Sequence, residues 1–153
     1  MGKSVLILEV LWWVVTAIVA VAVVLPAVQV AEGYLFVRAN VVFVVAFITF
    51  SRYIFLLRHT FLARRQRLKA GLFFVFIPVV FLLVQELNGF QSYLDNYGFV
   101  PMLGHLPLQS FNAYSRYIYN EMLFFGVGAI LSGIVLPFRL LISVWRVRNR
   151  GSV

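Results

Sequence analysis

Four long apolar stretches divide the chain, at residues 4–30, 40–61, 70–87 and 121–144, and most polar positions are gathered between them. Each is close to the roughly 20 apolar residues with which an α-helix crosses a hydrocarbon core of about 30 Å. The pattern predicts an all-α integral membrane protein: four transmembrane helices in an antiparallel bundle, with a short amphipathic helix outside it, in a single domain over residues 1–153. The first connection, AEGYLFVRA, is short and aromatic, so the first two helices form a hairpin. No breaker succeeds the second stretch, and its helix is expected to run to about Lys69, where Gly71 turns the chain. Pro26 falls near the end of the first stretch and Pro78 near the middle of the third, where a missing amide leaves a backbone carbonyl to be satisfied otherwise. Residues 88–120 form a cap on the bundle. Asp95-Asn96-Tyr97-Gly98 signals a turn, and Gly104 and Pro107 punctuate the rest of the cap. After Pro107, Leu108, Phe111, Tyr114 or Ser115, and Ile118 recur at helical spacing, as in a helix lying in the membrane interface, with Tyr114, Tyr117 and Tyr119 as an aromatic belt.

Composition supports the membrane assignment. With 63% hydrophobic and 12% charged residues and a mean hydropathy of +0.96, a chain of 153 residues has more apolar surface than a water-soluble domain of its size can hide. The net charge of +8 would suggest nucleic acid in a soluble protein, but its placement is topogenic. Nine of thirteen cations lie at three places: Lys3; Arg58, Arg64, Arg65, Arg67 and Lys69; and Arg146, Arg148 and Arg150. All three places share one side of a four-span hairpin, so by the positive-inside rule both termini and the second loop are cytoplasmic. The expected contacts of the basic loop are lipid headgroups, with no nucleic-acid partner. Cysteine is absent, which excludes disulfides, thiolate catalysis and thiol metal sites.

The candidate chemistry is a set of charges inside the apolar stretches. Glu9 lies six residues beyond Lys3, Arg52 six before Arg58 and Arg139 seven before Arg146. At 1.5 Å per residue all three sit about 9 to 11 Å past a boundary cation. A charge facing lipid there costs about 2 to 3 kcal/mol, so Glu9, Arg52 and Arg139 should face inward and meet. Two arginines against one carboxylate fit either an anion clamp or a structural ion pair with one snorkelling arginine. A second polar layer on the other side includes Arg38, Glu86, Arg116 and Glu121, where Glu86 and Glu121 are expected to pair with Arg38 and Arg116 rather than to ligate a hard cation. Between the layers only Thr16, Thr49 and Ser132 offer hydroxyls, so no continuous polar path is expected within one protomer. In the fourth stretch, Gly128 with Ser132 and Ala129 with Gly133 are spaced as small-xxx-small pairs, which predicts close packing against another helix. His59 and His105 belong to opposite sides, with His59 on the Arg52 face. There is no nucleophile elbow, phosphate-binding loop or paired-carboxylate motif, so neither enzymatic activity nor a metal or cofactor is expected.

The MGKSVLILEVLWW start, the SRYIFLLRHTFLA stretch and the RVRNRG end, and with them the whole chain, resemble a family of small four-span membrane proteins of Bacteroidota. Some of its members carry the label magnesium citrate secondary transporter. The resemblance implies solute movement, and a protomer this small would transport only as an oligomer. Glu9 is also placed like the first-span glutamate of small multidrug exporters, which are shorter. The VRAN run at Val37 to Asn40 resembles the start of the second span in membrane glutathione-transferase-like proteins, without their following acidic partner. Two functions result: an oligomeric transporter or channel for an organic anion, or a non-transporting accessory subunit. Either implies a second copy or a membrane-protein partner within the bilayer.

Overall fold

In hydrocarbon every backbone N–H and C=O must be bonded internally, and this chain meets the requirement with helices. The computed structural model describes residues 3–60, 62 and 65–149; Arg64 and Arg150 lie outside the described residues, as do the side chains of Lys3 and Arg58. The helices are α1 (Lys3–Val30), α2 (Val37–Leu56), α3 (Gln66–Tyr97), α4 (Val100–Leu103) and α5 (Leu108–Asn149). Among the described residues there is no strand, and α1, α2, α3 and α5 are long and apolar enough to cross a membrane.

The helix limits depart from the sequence pattern at three places. The amphipathic segment after Pro107 is not a separate helix. It is the first third of α5, whose 42 residues extend about 63 Å, twice the thickness of a hydrocarbon core. Nothing between Leu108 and Glu121 breaks a helix, and ending one there would strand backbone groups at a new pair of termini. Second, α3 reaches Tyr97, so Asp95, Asn96 and Tyr97 are its last residues, and the turn itself falls on Gly98 at φ 63°.

Third, α2 does not run to Lys69. It stops at Leu56 and passes through a 3-10 turn, Leu57–His59, into extended Thr60. The Thr60 hydroxyl and amide both donate to the Leu57 carbonyl, at 2.8 and 3.3 Å, which closes the end. The reversal buries Leu57 and Leu62 against Phe76, Leu136 and Leu140, contacts that a straight continuation would forfeit. Gly71, expected at the turn, is an ordinary residue of α3 with open space around it.

The core is organised on α5, which α2 and α3 both line while meeting each other little. The small residues expected to receive a helix receive two from this same chain. A Cβ at Gly126 would lie 3.0 Å from Leu87 and 3.4 Å from Phe43, one at Gly133 3.0 Å from Val80 and 3.4 Å from Phe50, and one at Gly128 only 2.7 Å from the Phe47 ring. Ala129 between them is fully buried. α1 packs mainly along α2, through Ala20, Val24 and Val44, and is tied to α5 by the Tyr117 hydroxyl, which donates to the Val23 carbonyl at 2.7 Å. At the end distal to the basic loop, Phe36 stands edge-on to Phe90 and Tyr93 with centroids 5.2 and 5.3 Å away, and Met102 and Leu103 of α4 plug the interior. The Glu32 amide donates to the Met102 carbonyl at 2.9 Å, fastening the first connection to this cap.

Gly128→Ala is expected to lower stability by about 1 to 3 kcal/mol by forcing the Phe47 ring aside. Gly71→Ala, in open space, should leave stability unchanged or raise it. Thermal unfolding of the two variants in detergent checks this, and equal effects would contradict the packing described.

Candidate functional site

The polar side chains inside the helical core fall into two groups at opposite ends of α2, since Asn40 and Arg52 are twelve residues apart, or about 18 Å along the helix. At the basic end, Glu9 of α1 and Arg52 of α2 meet as matched depth predicts: Arg52 Nη2 is 2.9 Å from Glu9 Oε2, and the side chains are only 6% and 12% exposed. The guanidinium also lies 5.5 Å from the Trp12 ring centroid and 5.6 Å from that of Tyr53. An arginine between a carboxylate and two aromatic faces is held by charge on one side and by ring quadrupoles on the others. The Trp12-Trp13 pair thus contributes one ring to this ion pair, while Trp13 faces outward.

Arg139 does not join that pair. Its Nε donates to the Ile54 carbonyl at 3.2 Å, one of the last four carbonyls of α2, which have no intrahelical donor. A cation there also faces the negative end of the helix dipole. The second arginine of the expected clamp is therefore a helix-ending group on α2. Lys69, read from sequence as a loop cation, is inside: only 1% of it is exposed, and its Nζ donates to Ser143 Oγ at 2.9 Å and Gln66 Oε1 at 3.3 Å. The start of α3 at Gln66 turns it toward α5, and no local feature of the sequence marks that start. His59 lies beside Arg52, as expected, where both line a small cavity of about 210 Å³ with Leu8, Trp12, Leu56 and Thr60.

At the cap end, Arg38 pairs with Glu86 at 3.2 Å, but the two side chains are 86% and 42% exposed, and such a bridge adds little stability. Glu121 does not pair with Arg116, which is exposed and forms no ion pair among the described residues. It is buried instead against Asn40, whose Nδ2 donates both to Glu121 Oε1 and to the Tyr34 hydroxyl, the latter at 3.1 Å. Burial, with Glu121 and Tyr117 close by, holds the Tyr34 phenol well above the ordinary tyrosine range despite the hydrogen bond from Asn40, so it stays neutral. Tyr34 was not legible as a partner because it sits in the short connection before α2. Glu32 faces His105 at 3.8 Å on the surface of the same end. Among the described residues no three His, Asp or Glu side chains converge as metal ligands would.

Between the two groups the interior is apolar. The Thr16 and Ser132 hydroxyls turn back onto carbonyls of their own helices, Trp12 at 2.7 Å and Gly128 at 2.7 Å. Phe43, Val44, Phe47, Phe50, Leu83, Met122 and Ala129 fill the space between. A cavity of about 490 Å³ is an apolar groove between α1 and α2 lined by residues such as Trp13, Ala17, Val21 and Val45, and neither Glu9, Arg52, Asn40 nor Glu121 lines it.

No family model matches the chain, and no curated protein or solved structure matches it either.

Glu9→Gln is expected to cost about 3 to 5 kcal/mol by leaving Arg52 buried and uncompensated. Combining it with Arg52→Gln should recover part of that loss, whereas combining it with Arg139→Gln should be additive. Detergent melts of the single and double variants read both couplings, and a coupling to Arg139 equal to that of Arg52 would contradict the geometry.

Proposed function

We propose that this chain is a non-transporting accessory or scaffold protein of a bacterial inner membrane, a four-helix bundle with both termini cytoplasmic that works through association with other membrane-protein chains. One observation carries this reading: Arg52 is paired with Glu9 and Glu121 is bonded to Asn40 at two separated ends, and the interior between them is apolar. A carrier needs charged or polar groups that can exchange partners with a solute along a hydrated path. Here Arg52 is taken by Glu9 and Arg139 by the end of α2. The anion carriage implied by the family resemblance would then have to be built between protomers, outside this core.

Orientation rests on charge. Arg65, Arg67, Lys69, Arg146 and Arg148 all belong to the Arg52 end, which by the positive-inside rule faces the cytoplasm. Reporter fusions after Lys69 and after Val153 should read cytoplasmic and one near Gly98 should read outside; a periplasmic signal at Lys69 would overturn the orientation.

Purified protein in liposomes should move neither citrate, with or without magnesium, nor other small anions, and native mass spectrometry from membranes should recover it with a different chain. Citrate flux that is abolished by Arg52→Gln or Arg139→Gln in a folded protein would replace this reading with an oligomeric anion transporter.

A further inference from the structure

The buried group of Tyr34, Asn40 and Glu121 has a mismatch of donors and acceptors that identifies a ligand. Asn40 is fully buried in the first turn of α2, and Glu121 is buried on α5, 81 residues away. Both Asn40 amide protons are used, one on Tyr34 and one on Glu121 Oε1. A pair of acceptors is left over: Asn40 Oδ1 and Glu121 Oε2 are both sealed from the surface, and neither meets a donor among the described residues. A carboxyl and a carboxamide each carry two polar atoms on one trigonal carbon. A bond along one pair of these atoms sets the other pair side by side when the groups are coplanar.

We propose that a proton occupies this place: Glu121 is a neutral carboxylic acid whose Oε2–H donates to Asn40 Oδ1, completing a reciprocal acid–amide pair between α2 and α5. One proton satisfies both remaining acceptors and removes the charge from an apolar site walled by Phe43, Ile118 and Met122. Turning the Asn40 amide over would set Oδ1 against Oε1, and that contact also requires a proton on the carboxyl. A metal ion fits poorly, because a hard cation takes six or so oxygens and this site has a phenol, an amide and one carboxyl.

Among the described residues no cation forms an ion pair with Glu121: Arg116, five positions earlier on α5, is exposed, and Arg38 on α2 meets Glu86. From the connection before α2 comes Tyr34, a neutral phenol; from α5 itself comes Tyr117. α3 contributes Leu87 and Phe90, with Glu86 turned outward to Arg38, while α4 contributes Met102 and Leu103 and α1 contributes Ala27 and Ala31. His105 is directed to Glu32. Loss of the proton would place a carboxylate against the amide oxygen, and α2 and α5 would part at the cap end. The site is thus a proton-binding site that joins the two helices, independent of whether the protein transports anything.

Infrared spectroscopy of the intact protein with 13C-labelled glutamate tests this. A protonated-carboxyl carbonyl band that shifts with the label is expected at neutral pH, because Glu9, Glu32 and Glu86 each face a cation or histidine and Glu121 does not. Glu121→Gln should remove the band and lower the melting temperature less than Glu121→Leu, since one carboxamide N–H can donate to Asn40 Oδ1 and the carboxamide oxygen can accept from Asn40 Nδ2, with only the second N–H left over. Asn40→Leu should lower the melting temperature and shift the band. If all four glutamates give only carboxylate bands at neutral pH, the proposal is overturned, and the wild-type spectrum decides this even if no variant folds. A melting temperature that rises with added sodium or magnesium in wild type but not in Glu121→Gln would overturn it in favour of a cation.

Discussion

Apolar side chains gain nothing by exchanging lipid tails for one another, so the contact of α5 with α2 and α3 depends on shape. Gly126, Gly128, Ala129 and Gly133 remove side-chain bulk along one length of α5, and Phe43, Phe47, Phe50, Val80 and Leu87 enter the space. Everything else is hung on that three-helix contact. The reversal at Leu57–His59 brings α3 back onto α5, α1 is carried by α2, and the cap closes over the end where α3 and α5 overrun the core. Ser132 lies in the same small-residue face without disturbing it, because its hydroxyl is absorbed by the Gly128 and Ala129 carbonyls of its own helix.

The charges are reconciled with this packing in three different ways. Arg52 and Glu9 neutralise each other, with two aromatic rings taking the remaining faces of the guanidinium. Arg139 uses the unmet carbonyls at a helix end, where its positive charge also opposes the dipole of α2. Lys69 donates to a serine on α5 and a glutamine one turn before it on α3. Each solution ties two helices or a helix and its end together. The cations closest to the core therefore join helices, and those further out, Arg65, Arg67, Arg146 and Arg148, are exposed and free to face headgroups.

The polar group at the cap end differs in kind, because its carboxyl is met by a hydrogen bond from an amide rather than by an opposite charge. Asn40 is its centre: one amide engages both the connection before α2 and the α5 helix, so it fixes the register of α2 against α5 at that end. Arg38, two residues earlier, points the other way and meets Glu86 in the open. Polar residues two apart on a helix lie on nearly opposite faces, and here one serves the core and the other the surface.

Hydropathy and length by themselves determined that the chain forms long apolar helices, that their charges gather at the ends, and that Glu9 and Arg52 lie at one depth. Those are properties of residues taken one at a time or within one turn of a helix, and the number of residues along a helix sets depth directly. Only the tertiary structure decided where α2 stops, because Thr60 closes the helix while Leu57 and Leu62 are drawn to Leu136 and Leu140 on α5. It also decided that Arg139 meets the end of α2 rather than Glu9, that Lys69 is inside, and that Glu121 meets Asn40 and not Arg116. These pairings join residues 74 or more positions apart. Depth can be counted along the chain, but which face of one helix meets which face of another depends on how side-chain shapes interlock, and that is set only when the helices pack.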